Sequence, residues 1–342
     1  AAGPVSSKVP KNSRFLIQFG PAGINSVYQQ RKIFMKATSK LQILILSLLL
    51  LPALAAAADN NTFEETLTVP EGTMLEVDTG SGSIEISAGP GREVTVIGKV
   101  KVNRKSFWRG AVDKEEILAY VLENPPVELE GDRLSVGRIK DRDIRKRVSI
   151  SYVIVVPADT SVEADTGSGS ISVADVAAPV EVSAGSGSLT LDNIGGPVHA
   201  TSGSGRIRAE QVAGEFRGKT GSGSIYLSQA APGNVTVSTG SGSIELTGVN
   251  GAMAARAGSG SITVDGYQQG DWDLDTGSGS ITVRLPGDAA FALDAESRSG
   301  GITVDHPLTV QGKISKRHIR GEVRGGGPLL RIDTGSGSIR VE

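Results

Sequence analysis

Cysteine is absent from all 342 residues, so no disulfide supports the fold and stability must come from packing alone. The same absence excludes a lipid-bearing cysteine as an anchor. Histidine is scarce: His199, His306 and His318 lie far apart with no ligand-like spacing, and no metal site or other cofactor is expected. Acid is missing from residues 1–58, which carry Lys8, Lys11, Arg14, Arg31, Lys32, Lys36 and Lys40. Removing these seven from the 35 Lys and Arg leaves 28 basic against 37 acidic residues, so residues 59–342 sit near −9. That balance excludes a general polyanion-binding surface, nucleic acid included, and leaves only local basic patches. A G-x-S-x-G, P-loop or dinucleotide fingerprint is also lacking, because GSGSI is not followed by the required lysine or third glycine.

Long apolar runs are limited to one, MKATSKLQILILSLLLLPALAAAA at 35–58. Lys36 and Lys40 precede an apolar core from Leu41 to Leu51, Pro52 breaks it, and Ala56-x-Ala58 offers a cleavage site before Asp59. The pattern predicts a secretory signal peptide over 35–58, since the core is shorter than the roughly 20 residues of a membrane span. A membrane anchor is the competing reading. Residues 1–34, ahead of Met35, read as an upstream segment outside the native protein. Residues 59–342 are then an exported domain of the periplasm, outer surface or extracellular space, with no transmembrane span after cleavage.

What the chain has in abundance is a repeat. The glycine opening each GSGSI-like unit falls at 167, 185, 203, 221, 240, 258 and 277, in steps of 18 or 19 residues. Further copies begin at Gly80 and Gly335, and a degraded one, RSGGI, spans Arg298 to Ile302. After each turn apolar residues alternate, as in Ile171 and Val173, Leu189 and Leu191, or Ile244 and Leu246, which predicts strands with one buried face. Before each turn the alternation ends in a small inward residue such as Thr79, Ala184, Ser202, Thr239 or Ala257. Val176, Ile194, Val212 and Val249 mark an opposite corner. One unit cannot bury its own apolar face, so the period predicts stacking. The expected fold is all-β: a single-stranded β-solenoid of about ten rungs. Glycine at the corners answers a positive φ or a close backbone approach. The competing fold is an antiparallel meander closed as a sandwich or barrel. An outer-membrane barrel is disfavoured by the polar alternate positions Glu85, Ser172, Thr190, Arg208, Glu245 and Thr282.

Two segments break the period. In the first, with its insertion placed at 99–148, DKEEILAYVLENPP predicts a short helix: Asp113 and Glu116 resemble a capping box, Ile117, Leu118 and Val121 form a stripe, and Pro125-Pro126 ends it. VELEGDRLSV reads as a hairpin and RVSISYVIVV as a strand returning to the stack. The second break, from His306 to Ile332, reads as a charged hairpin before the last rung.

Asp-Thr-Gly, the aspartic-protease triplet, begins at Asp78, Asp165, Asp275 and Asp333. Two would suffice for a shared-proton dyad; four in a column that also holds Lys219 and Arg256 point to an exposed corner. Outward carboxylates on adjacent rungs, such as Asp78 and Asp165, would have the ~5 Å spacing of a retaining glycosidase pair, which is the enzymatic alternative. Arg138, Lys140, Arg142, Arg145, Lys146 and Arg147 form a candidate ligand-contacting basic patch, and KISKRHIR at 313–320 a second cationic run; solvated hairpin faces are the plainer reading. An outward row of Thr263, Thr282 and Thr303 suggests an ice-binding face, interrupted by Glu245 and Arg208.

Taken with the signal-like segment, the DTGSGSI repeats, SISYVIVVPADTSVEADTGSGSI at 149–171 and the ending GGGPLLRIDTGSGSIRVE at 325–342, the chain resembles a bacterial adhesin-like family of β-strand-repeat proteins carrying a domain of unknown function. The resemblance covers most of 59–342 and implies a β-solenoid in the envelope or at the surface, with no catalytic residues to carry over. The expected function is that of a non-catalytic adhesin-like module whose partner is an envelope glycan or another surface protein. A purely structural scaffold and a carbohydrate-active enzyme are the alternatives.

Overall fold

Val180, Val182 and Ala184 point inward while Glu181 and Ser183 face out, and this alternation repeats along the chain. A computed structural model describes residues 60–103, 114–137, 139–310 and 315–342. The upstream segment, the signal-like run and Asp113 of the capping box lie outside the described residues. The strand Val180–Ala184 pairs in parallel with Ser161–Thr166 on one side and Val198–Ser202 on the other. Phe216–Thr220 and Val235–Thr239 continue this first face. A second face stacks Ile171–Ala174, Leu189–Ile194, Ile207–Ala213 and Ile225–Ala231, again in parallel. Ile244–Ser259 and Ile262–Ser278 run unbroken through both faces. The pairing is parallel and in register, Leu189 above Ile171 and Ile207 above Leu189, which rules out the antiparallel meander.

Like residues stacked on like make one continuous core, with Trp272, Phe216 and Phe291 buried among aliphatic side chains. Each fully buried large side chain contributes about 1.5–3 kcal/mol. The molecule is thus all-β and solenoid-like. The helices among the described residues are α1, Lys114–Glu123, which buries Ile117 and Val121, and the single turn α2, Arg142–Arg145.

Order along the chain and order in space differ at both ends. Met74–Thr79 pairs with Ser161–Thr166, setting Asp78 beside Asp165, so the intervening residues leave that contact intact. They fold back over the end of the stack. Arg133–Val136 pairs with the outer side of Met74–Thr79, and Val148–Pro157 with that of Ile84–Gly89. Antiparallel strands then cap the two: Val127–Glu130 beside Arg133–Val136, and Glu93–Val102 followed by Thr62–Thr68 beside Val148–Pro157.

At the other end the final strands are intercalated. Leu329–Ser336 lies between Ile262–Ser278 and Phe291–Ser297, and Ile339–Val341 between Ile281–Arg284 and Ile302–Val304. The coil with Arg298 in place of the first corner glycine therefore takes an outer position. Beyond it, the expected hairpin pairs Leu308–Thr309 with His318–Val323.

The corners need glycine for close approach. A Cβ on Gly205 would stand 1.8 Å from the carbonyl oxygen of Gly187, and one on Gly187 would stand 1.6 Å from that of Gly169. Neither glycine has a positive φ. The left-handed conformation belongs to the opposite corner, at Asp175, Asn193, Gln211 and Gly248. There the Asn193 amide donates to the Asp175 carboxylate at 2.7 Å. The hydroxyls that hold the glycine corner are chiefly those of the small inward residue before it. Thr220 Oγ1 donates to Gly205 O at 3.0 Å and accepts from Gly223 N at 3.1 Å. Thr166, Ser202 and Thr239 repeat both bonds.

Candidate functional site: a lysine groove beside the end cap

The corner aspartates face outward. Asp78 and Asp165 are register partners on adjacent strands, about 4.8 Å apart at the backbone. Partial burial, with the charges of Asp78, Glu181 and Glu76, lifts the Asp165 carboxyl above the usual range, against a hydrogen bond from Ser183. Burial and then Glu296, Asp275 and Asp294 do the same to Asp333. Asp78 and Asp165 remain exposed at a convex corner, however, which lacks the desolvated cleft that a shared-proton dyad requires. The threonine row is broken more thoroughly than its sequence spacing suggests, because Arg340 of the intercalated strand sits between Thr282 and Thr303.

The histidines stay apart. His199 is exposed between Glu181 and Arg217, His306 is buried edge-on against Phe291 at 5.5 Å, and His318 meets Asp294 at 3.2 Å. Among the described residues no cluster of His, Asp and Glu could hold a metal ion.

Of the basic patch, Arg138 lies outside the described residues, as do Lys313 and Ile314 of the second cationic run. Lys140 turns toward the hairpin and bonds Glu128 at 3.2 Å. Asp141 caps α2 by accepting from the backbone N–H groups of Asp143 and Ile144, which hold its carboxyl below the usual range. Arg142, Arg145 and Lys146 are exposed, spaced to share one side of the turn. Arg147 is half-buried, and its carbonyl accepts from Asn103 N at 2.7 Å.

That last bond joins the patch to a site the sequence reading missed. Beside the cap lies a groove of about 580 Å³ lined by Lys99, Lys101, Lys114, Asn61, Asn103, Ser81, Ser149 and Ser151 over Val100, Val102 and Leu118. Lys99 and Lys101 alternate outward on Glu93–Val102, opposite Ser151 and Ser149, and Lys114 opens α1. No carboxylate is among the described residues lining the groove. The ammonium groups of Lys101 and Lys114 stand here beside amide and hydroxyl side chains that can donate and accept hydrogen bonds. The signal was present in GKVKV at 98–102, where lysines fall on the outward positions of an apolar alternation.

Comparison with known proteins places the molecule. Three solved structures align with 82% of this chain: a candidate cell-adhesion protein of Clostridium sporogenes, at 12% identity over 98% of that chain with a TM-score of 0.24; a candidate adhesin of Bacteroides fragilis, at 11% over 97% with 0.40; and a candidate adhesin of Parabacteroides distasonis, at 11% over 98% with 0.40. No curated protein matches. The Toastrack DUF4097 family model matches residues 128–342. That span begins after Lys99, Lys101 and Lys114, and it is more than half of the chain, which therefore belongs to the Toastrack DUF4097 family.

Proposed function

We propose that the protein is a non-catalytic, exported envelope or surface module that holds an anionic glycan in the lysine groove. The observation carrying this reading is the groove itself: Lys101 and Lys114, five amide or hydroxyl side chains and an apolar floor in a domain of net negative charge. The signal-like run at 35–58 supports export, and the adhesin-like solved structures agree with a surface role. In this reading about ten coils spaced ~4.8 Å apart form a rigid support of about 48 Å, along which weak contacts add through multivalency. Arg142, Arg145 and Lys146 extend the cationic surface beyond the groove.

A glycan array with residues 59–342 and the variant Lys101→Gln/Lys114→Gln/Arg145→Gln tests it. Binding restricted to carboxylated or phosphorylated glycans and weakened about tenfold in the variant is expected. Equal binding by both proteins would move the glycan site away from the groove, and no binding by either leaves the scaffold. Turnover of a bound glycan, lost in Asp78→Asn and Asp165→Asn, would instead establish the enzyme.

A further inference from the structure

On the opposite face a second groove has the reverse electrostatic character. It encloses about 280 Å³ and crosses the starts of the first-face strands, from Met74 past Pro179 and Pro197 to Arg217. The two prolines are exposed and stand one repeat apart, giving a ridged apolar wall at the turn before each strand. Glu163 and Glu181 are register partners on the rim. Glu76 on Met74–Thr79 continues this row beside Glu163, and Asp78 and Asp165 are paired in the next outward row. Arg133 bonds Glu76 and Arg217 bonds Glu215, so these cations are already engaged.

We propose that this groove docks an extended, lysine- or arginine-bearing peptide segment of a partner protein. Acidic side chains stacked in register repel one another, and Arg133, bonded to Glu76, also attracts Glu163, which eases the crowding from one side. Cationic side chains reaching Glu163 and Glu181 would relieve it at the centre, while apolar residues of the same segment cover Met74, Pro179 and Pro197. The groove crosses five strands, four steps of ~4.8 Å or about 19 Å, the reach of about six extended residues at ~3.3 Å each. Alternating side chains on such a segment put every second residue on one side, so a basic–apolar alternation matches a rim of carboxylates beside a wall of proline.

The test is fluorescence anisotropy of labelled Lys-Val-Lys-Pro-Lys-Val against residues 59–342, with Glu-Val-Glu-Pro-Glu-Val as the reversed-charge probe. The lysine peptide should bind and the glutamate peptide should not. Glu163→Gln/Glu181→Gln should weaken the lysine peptide about tenfold and flatten its salt dependence. Circular dichroism and thermal melting of that variant should match or exceed those of the parent, which separates lost docking from lost folding. No binding of the lysine peptide, equal binding of both probes, or a variant within twofold of the parent would overturn the proposal. Running both probes against the Lys101→Gln/Lys114→Gln/Arg145→Gln variant as well keeps these outcomes distinct from anion binding in the lysine groove.

Discussion

Thr220 is fastened at both ends, to Gly205 O of the neighbouring coil and to Gly223 N of its own. Replacing it by Val keeps the shape and leaves two buried backbone groups unpaired, so Thr220→Val should cost about 1–3 kcal/mol in urea unfolding. Ala184 occupies the same column without a hydroxyl. Ala184→Ser is therefore expected to add about 0.5–1.5 kcal/mol. The glycines give a sharper contrast. A Cβ on Gly205 meets backbone at 1.8 Å, whereas one on Gly80 meets nothing within 4 Å. Gly205→Ala should destabilise by about 3 kcal/mol or more while Gly80→Ala changes little, and equal unfolding midpoints would refute the close-approach argument. Titration follows from the corner column. The raised folded-state pKa values of Asp165 and Asp333 mean that the native state binds those protons more tightly than the unfolded chain. The resulting stabilisation is present below the unfolded value, about 3.9, and is lost as pH rises through the folded one. Asp165→Asn/Asp333→Asn should accordingly melt higher than the parent at pH 7, with the difference vanishing near pH 3. A lower melting temperature at pH 7 would contradict it.

Among the elements, strands, corners and the hairpin Val127–Glu130 with Arg133–Val136 were legible in the sequence, because period-2 alternation and an 18- to 19-residue step are local signals. The helix stripe of Ile117 and Val121 was legible for the same reason. Strand neighbours at the two ends were not. Gly335-Ser336-Gly337 is as well formed as Gly277-Ser278-Gly279, and nothing in the letters says that it stacks there ahead of the coil at Arg298. The lysine groove was hidden for a related reason: its residues come from the strand Glu93–Val102, the start of α1 and the first corner, and only strand pairing joins them. Intercalation has a mechanical consequence. Truncation after Val323 removes an inner coil, uncovering Trp272 and Leu274 on one side and Phe291 and Leu293 on the other. Hydrogen exchange should show lost protection across both Ile262–Ser278 and Phe291–Ser297, whereas a merely frayed end would leave the former protected.

For the whole molecule, charge is segregated by place. The lysine groove lies beside the cap on the side of Glu93–Val102, the carboxylate-rimmed groove lies on the first face, and the stacked core fixes both. A domain of net negative charge that attracts an anionic glycan must do so through a local field, so attraction should fall with salt and depend on a few named cations. Titrating polygalacturonate into residues 59–342 by calorimetry at low and high ionic strength, in parallel with the Lys101→Gln/Lys114→Gln/Arg145→Gln variant and with neutral dextran, measures this directly. Binding of polygalacturonate alone, weakening with salt in the parent and both weaker and less salt-dependent in the variant, is the predicted result. Salt-independent binding, or a variant that binds like the parent, would contradict the lysine groove as the seat of function.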